Sequence, residues 1–337
     1  MIPSLGALLD QPAQYFHWTH WIGAQLGAIH AVQETRLLDH LGQEPCSAQD
    51  IAASAGLQED GTRRLLEFLA AEGVLAVDEG GLFAPTDRSR LLQRIGGVNW
   101  LAGACAMSAL HTGAMLADGE GRNAWTLARG QPLFEGLAEN PDWVRQFAEA
   151  MGFHTEAEQP RIFAAHRFEP FDLAVDVGGS HGDLMMRLLA DHPKARGIVF
   201  DRPEAAEQAH EAIAAAGMAD RMEAVGGDFF AEVPAGGDLY MMKHIIHDWS
   251  DAESIAIFKT IRAAMKPRSR LAVFERIVPA DYRPDIAYAF DIIMLHNTTG
   301  RERRVADFER LFADSGLRLD RVTDVPGGVS VIEAVPV

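Results

Sequence analysis

Leu173-Ala174-Val175-Asp176-Val177-Gly178-Gly179-Ser180-His181-Gly182-Asp183-Leu184 runs from an apolar stretch through a glycine turn into helical spacing. A strand that closes on such a turn and opens a helix is the first unit of an open α/β sheet. The alternation continues downstream. Strands are expected at 197–201, 222–225, 237–242 and 270–275, with helical segments between them. A late pair is expected at 318–325 and 329–335. The second half therefore reads as a doubly wound, mostly parallel sheet.

The turn does not fit the dinucleotide fingerprint. Ser180 stands two places after Gly178, and the sixth position is Asp183, whose carboxylate would repel a pyrophosphate. A nucleoside without phosphates suits it better, with free amides of the turn aimed at a ligand carboxylate. A purely structural tight turn is the competing reading. Asp201 closes the second strand where carboxylates bind ribose hydroxyls, although an Asp there also serves as a helix cap. Gly226-Gly227-Asp228-Phe229-Phe230 pairs an acceptor for an exocyclic amine with a ring able to cover adenine. Phe229 alone would read as core.

The fourth strand runs into Leu239-Tyr240-Met241-Met242-Lys243-His244-Ile245-Ile246-His247-Asp248-Trp249-Ser250-Asp251. This places an imidazole at the carboxyl edge of the sheet, where open α/β folds bind ligands. Imidazole is the side chain best matched to taking a proton near neutral pH. The plain alternative is a satisfied histidine at a helix start, with Asp248 as the cap. Trp249 is expected in the core, and His244, His296 and His154 are assigned no chemistry.

At 337 residues the chain is too long for one small core, and two domains are expected. A net charge of −18 argues against nucleic acid or an anionic membrane as partner and would tolerate a cationic ligand. Two cysteines, Cys46 and Cys105, exclude a disulfide framework and suit a reducing cytosol. No secretory signal or membrane-length apolar run is visible, so the cytoplasm is the expected location. No trio of His, Cys and carboxylate shows metal-ligand spacing, and no metal is expected.

In the first half, residues 15–41 read as a helix whose apolar residues, including Trp18, Trp21 and Leu26, cover most faces. That predicts burial against a second subunit, with a central core helix as the alternative. Residues 47–57 and 61–73 read as helices capped by Ser47 and Asp60, followed by a hairpin or wing over 74–85. The outline is that of a DNA-binding module. Glu59, Asp60 and Glu67 around Arg63 and Arg64 make a packing role the better reading. Residues 98–170 are expected to be largely helical, with a Gly-rich break at 118–122.

Taken together, several motifs resemble the S-adenosylmethionine-dependent small-molecule O-methyltransferases, of the plant phenolic and bacterial aromatic-polyketide type. They are Asp176-Val177-Gly178-Gly179, Asp228-Phe229, the run from Lys243 to Asp251, Phe274-Glu275-Arg276-Ile277-Val278-Pro279 and Gly300-Arg301-Glu302-Arg303. The resemblance covers nearly the whole chain. It implies a Rossmann-like methyltransferase sheet over 159–337, and a mainly helical winged-helix dimerisation and acceptor-lid domain over 1–158. By position, it implies that Gly178 meets the methionine part of the cofactor, Asp201 the ribose, and Asp228 with Phe229 the adenine. Met242 and Lys243 would close the cofactor side. His247 matches the family's catalytic base, and Glu275 and Glu302 match the carboxylates that bracket it. Phe147, Met151 and Thr155 match a helix covering both sites, Thr155 toward the cofactor. Ile293, Met294 and Asn297, with Asp248, fall where relatives meet the acceptor. Ser180, Arg202 and Thr299 depart from the family pattern without removing a group the chemistry needs.

Methyl transfer from a sulfonium is an in-line displacement from an activated donor, so the protein must align the acceptor oxygen and remove its proton. A phenol titrates near ~10 and needs a base at neutral pH. His247 is expected to be that base in a homodimeric enzyme acting on a hydroxylated aromatic molecule. The alternatives are decarboxylation or hydroxylation on the same scaffold, and a ligand-sensing winged-helix regulator.

Overall fold

A computed structural model describes residues 5–42 and 44–337. Two compact units emerge, one up to Met107 together with Pro141–Ala150, the other Ser108–Asn140 together with Met151–Val337. The helix Pro141–Ala165 has residues in both, and the sequence boundary at 158/159 falls inside it.

In the first unit, the helix Pro12–Thr35 leads into the helices Ala48–Ala55 and Glu59–Ala71 and an antiparallel hairpin of β1 (Leu75–Val77) and β2 (Phe83–Pro85). Ser47 caps as expected, accepting from the Asp50 amide, and Gly56 ends that helix at φ +66°. The next helix starts earlier than its sequence suggests. Gln58, not Asp60, is the cap, and Asp60 sits in the first turn, where a carboxylate also favours the helix dipole. Leu37, Ile51 and Leu66 are fully buried beneath the hairpin, whereas Phe16, Trp21 and Leu26 stay 58, 52 and 40% exposed along the first helix.

The second unit is built on β3 (Leu173–Val177), β4 (Arg196–Asp201), β5 (Met222–Gly226), β6 (Leu239–Lys243), β7 (Arg270–Glu275), β8 (Leu317–Asp324) and β9 (Ser330–Pro336). Their spatial order is β5-β4-β3-β6-β7-β9-β8, with β9 antiparallel to both neighbours and the rest parallel. Helices cover both faces, so the central strands are apolar on both sides. Met241 packs into the layer with Leu188 and Phe274, and Met242 into the opposite layer with Phe258 and Phe312. The strand order reverses between β3 and β6, which opens the ligand crevice at their carboxyl ends. No helix among the described residues is long and apolar enough to cross a membrane.

Candidate active site

The glycine turn after β3 and the histidine run after β6 meet at that crevice. Gly178 takes φ +77°, and a Cβ there would overlap the Ile245 side chain. The turn's amides are not free as the sequence suggested. Gly178 donates to Phe200 O at 2.7 Å, and Ser180 donates to Asp201 Oδ2 at 2.9 Å. Ser180 itself holds a left-handed backbone at φ +48°, a conformation that costs a non-glycine residue about 1 kcal/mol. Its bond to Asp201 offsets that cost.

His247 lies in a short 3-10 turn, Ile246–Asp248. Three backbone amides hold this turn on one oxygen: Ile245, Ile246 and His247 donate to Glu275 Oε1 at 3.1, 2.8 and 3.2 Å. The imidazole Nδ1 pairs with Glu302 Oε1 at 2.9 Å, and Glu275 Oε2 is 3.5 Å from it. Nε2 is the nitrogen left for chemistry, with Asp248 Oδ1 3.9 Å away. Burial acts to lower the His247 value, but the charges of Glu275 and Asp248 and the Glu302 hydrogen bond outweigh it and push the imidazole up to about 10. Burial pushes Asp248 up to about 7 against the pull of His247. Burial also acts to raise Glu275, yet the His247 charge and the His244 interaction hold it down at about 2. The site therefore carries an imidazolium among carboxylates.

Arg303 was a recognised motif position whose task the sequence did not disclose. It is fully buried and donates to Ile246 O at 2.7 Å and Trp249 O at 2.8 Å, clamping the histidine turn. Glu158 and Arg276 were not foreseen. Glu158 Oε2 lies 2.8 Å from Lys243 Nζ, so that ammonium is engaged inside the protein, and Arg276 donates to Glu158 Oε1 at 2.9 Å.

The remaining expected residues are spread more widely. Met242 is fully buried in the core, so only its backbone reaches the strand end. The Thr155 hydroxyl returns to Met151 O at 3.0 Å. Asp228 is exposed and accepts from the Phe230 amide at 2.9 Å. Phe229 meets Trp249 edge-on at 5.9 Å, and Phe134 stacks on the same indole at 5.7 Å. Met294 and Asn297 are buried and Ile293 half-buried on the helix Ile286–Asn297. Phe147 falls in the first unit.

One nitrogen each of His244 and His247 and one oxygen of Glu275 lie within 4.8 Å of one another, close enough to suggest a metal. Imidazole binds metals in its ring plane, yet these rings are stacked 18° from parallel, and Arg276 is 3.4 Å from His244 Nδ1. The arrangement opposes a cation there. A cationic nucleoside fits the crevice better. Buried Asp176 has an Oδ2 without a partner, and burial together with the Asp201 charge pushes it up to about 7. Each Asp201 oxygen accepts one backbone N–H, which leaves a lone pair on each for a vicinal diol.

The O-methyltransferase domain family matches residues 110–318, and the O-methyltransferase dimerisation domain matches residues 26–94. The chain belongs to the O-methyltransferase family. It is 33% identical over 315 residues to the phenazine O-methyltransferase of Lysobacter antibioticus, with 92% of each chain covered. It is 35% identical over 326 residues to the O-demethylpuromycin-O-methyltransferase of Streptomyces alboniger, covering 89% of this chain and 83% of the relative. An O-methyltransferase from neocarzinostatin biosynthesis, solved with S-adenosylmethionine and 2-hydroxy-5-methyl naphthoic acid, matches with a TM-score of 0.79. That match has 27% identity and covers 93% of this chain and 96% of that one. This O-methyltransferase uses S-adenosylmethionine as its methyl donor.

Proposed function

We propose that this O-methyltransferase methylates a hydroxyl of an aromatic small molecule, with His247 as general base. The observation that carries the reading is the Glu302 contact on Nδ1, which leaves Nε2 as the imidazole nitrogen available to an acceptor. S-adenosylmethionine, when bound, supplies a methyl group already activated on a positively charged sulfur. His247 removes the acceptor's proton at Nε2, and Glu302 and Glu275 stabilise the imidazolium that results. Asp201 holds the ribose hydroxyls and Asp176 the donor's ammonium. Met151, Ile293, Met294 and Asn297 shape the acceptor side, Phe147 and Thr155 extend the covering helix, and Asp228 with Phe229 receive the adenine. Residues 1–158 act as the dimerisation and lid half, and 159–337 as the catalytic half. Decarboxylation or hydroxylation gains no support, since the base and both carboxylates are in place. A screen of phenols and hydroxynaphthoic acids with radiolabelled donor tests the assignment; no label transfer to any hydroxylated aromatic would defeat it.

Asp201→Ala is expected to weaken S-adenosylmethionine binding by about ten- to a hundredfold, the worth of hydrogen bonds to a charged acceptor. Because Asp201 also steadies Ser180, Asp201→Asn is the control that retains an acceptor for that amide. Calorimetry showing unchanged affinity in both variants would count against the ribose role.

We also place the enzyme in the cytoplasm as a homodimer with neither nucleic acid nor membrane as partner. The exposed Phe16, Trp21 and Leu26 line the helix on which this rests. Trp21→Asp should shift sedimentation toward the monomer at micromolar concentration, and a dimer of undiminished affinity would move the interface elsewhere.

A further inference from the structure

His244 is the unexplained residue of the site. Its backbone is left-handed at φ +52°, a strained state for a ring-bearing residue that persists only when its surroundings enforce it. Its Nε2 is 2.9 Å from Glu158 Oε2, and its Nδ1 is 3.5 Å from Glu275 Oε2. The ring stacks on His247 with centroids 5.3 Å apart. Glu275 Oε2 is buried without a hydrogen bond, and the Nδ1 atoms of both histidines lie 3.5 Å from it. Glu275 Oε2 thus faces the Nδ1 edges of two stacked imidazoles, its other oxygen already committed to the backbone of the histidine turn.

The second imidazole is itself held from several sides. Glu158 reaches it from the helix Pro141–Ala165, where it also binds Lys243 and Arg276. Arg276 Nη1 approaches the His244 ring nitrogens at 3.3 and 3.4 Å while its guanidinium lies 3.7 Å over the Phe290 ring. His154, on the same helix as Glu158, faces Phe290 edge-on, and burial and the His244 charge hold it down at about 4. The charged and titratable groups around His244 are therefore Glu158, Lys243, Arg276, Glu275, His247 and His154.

We propose that His244 is a positioning residue for methyl transfer, sharing the free oxygen of Glu275 with the His247 ring it stacks on while Glu158 fixes His244 in turn. The proposal rests on His247 being the base. The His244 Nδ1 edge, 3.5 Å from Glu275 Oε2, shares that carboxylate's field with His247. Once it is removed, the whole charge acts on His247, which then keeps its proton to higher pH.

The test uses His244→Phe, which retains a stacked ring but no nitrogens, and His244→Asn, whose side chain tolerates the left-handed backbone. The His247 imidazole resonances, identified by their loss in His247→Gln, are followed against pH in the full-length enzyme. Both His244 variants are expected to raise the His247 midpoint by about one pH unit. Methyl transfer to a hydroxynaphthoic acid should fall about tenfold at neutral pH and recover as pH rises. Thermal melting identifies a variant that does not fold, and the other then decides. An unmoved midpoint, or a loss equal at every pH, overturns the proposal. Undiminished turnover by His247→Gln would instead overturn the base reading, whatever the midpoint does.

Discussion

Replacing His247 by Gln leaves S-adenosylmethionine binding no weaker than in the parent and cuts methyl transfer to a phenol about a thousandfold. The side chain lies in a turn fixed by backbone amides on Glu275 and by Arg303, so the substitution removes the imidazole without dismantling its seat. A general base contributes about 10² to 10⁴ in rate. The pH behaviour separates this from a loss of shape. With the imidazole pushed up to about 10, His247 must give up a proton before it can accept one. A cation sharing the crevice opposes the imidazolium, so donor binding near neutral pH should release a proton. Calorimetry in buffers of different ionisation enthalpy reads that release, and His247→Gln should abolish it. Parent turnover should climb as pH rises above 7. Activity of the Gln variant within a few-fold of the parent would end the base assignment.

Much of this site could be read from the chain because its parts sit at strand ends. Strands buried on both faces read as near-continuous apolar runs, broken in Leu173–Val177 by Asp176 and bounded in Arg270–Glu275 by its two charged ends, and both match the sequence reading end for end. His247, Glu275 and Glu302 come together because β6 and β7 are neighbours and Arg303 bridges back to Ile277. What the sequence hid depends on pairings across long separations. The turn amides of Gly178 and Ser180 find their acceptors at Phe200 and Asp201, so a loop that reads as open to ligand is already satisfied. Glu158 is one of several carboxylates along its helix, and nothing local marks it as the partner of Lys243, His244 and Arg276. The Asp60 error has a different origin, since a first-turn carboxylate and a capping carboxylate draw on the same orphan amides.

Gly300→Ala is expected to abolish activity and to destabilise the fold by at least about 1–3 kcal/mol, the scale of an overpacked core site. The glycine is pressed against the backbone of the histidine turn. A Cβ would overlap the His247 carbonyl oxygen and lie 2.5 Å from both the Asp248 carbonyl carbon and the Trp249 nitrogen. These atoms belong to backbone held by Glu275 and Arg303, so no side chain can swing aside. Relief requires either the turn or the 300–303 segment to retreat. Movement of that segment draws Glu302 away from Nδ1, where the present separation is 2.9 Å. The variant should therefore lose the partner that orients the base as well as stability, and adding Glu302→Gln to it should cost little more. Melting curves and turnover of the single and double variants measure this directly. A Gly300→Ala enzyme with parental stability and rate would show that the contact between these two segments is looser than the structure places it.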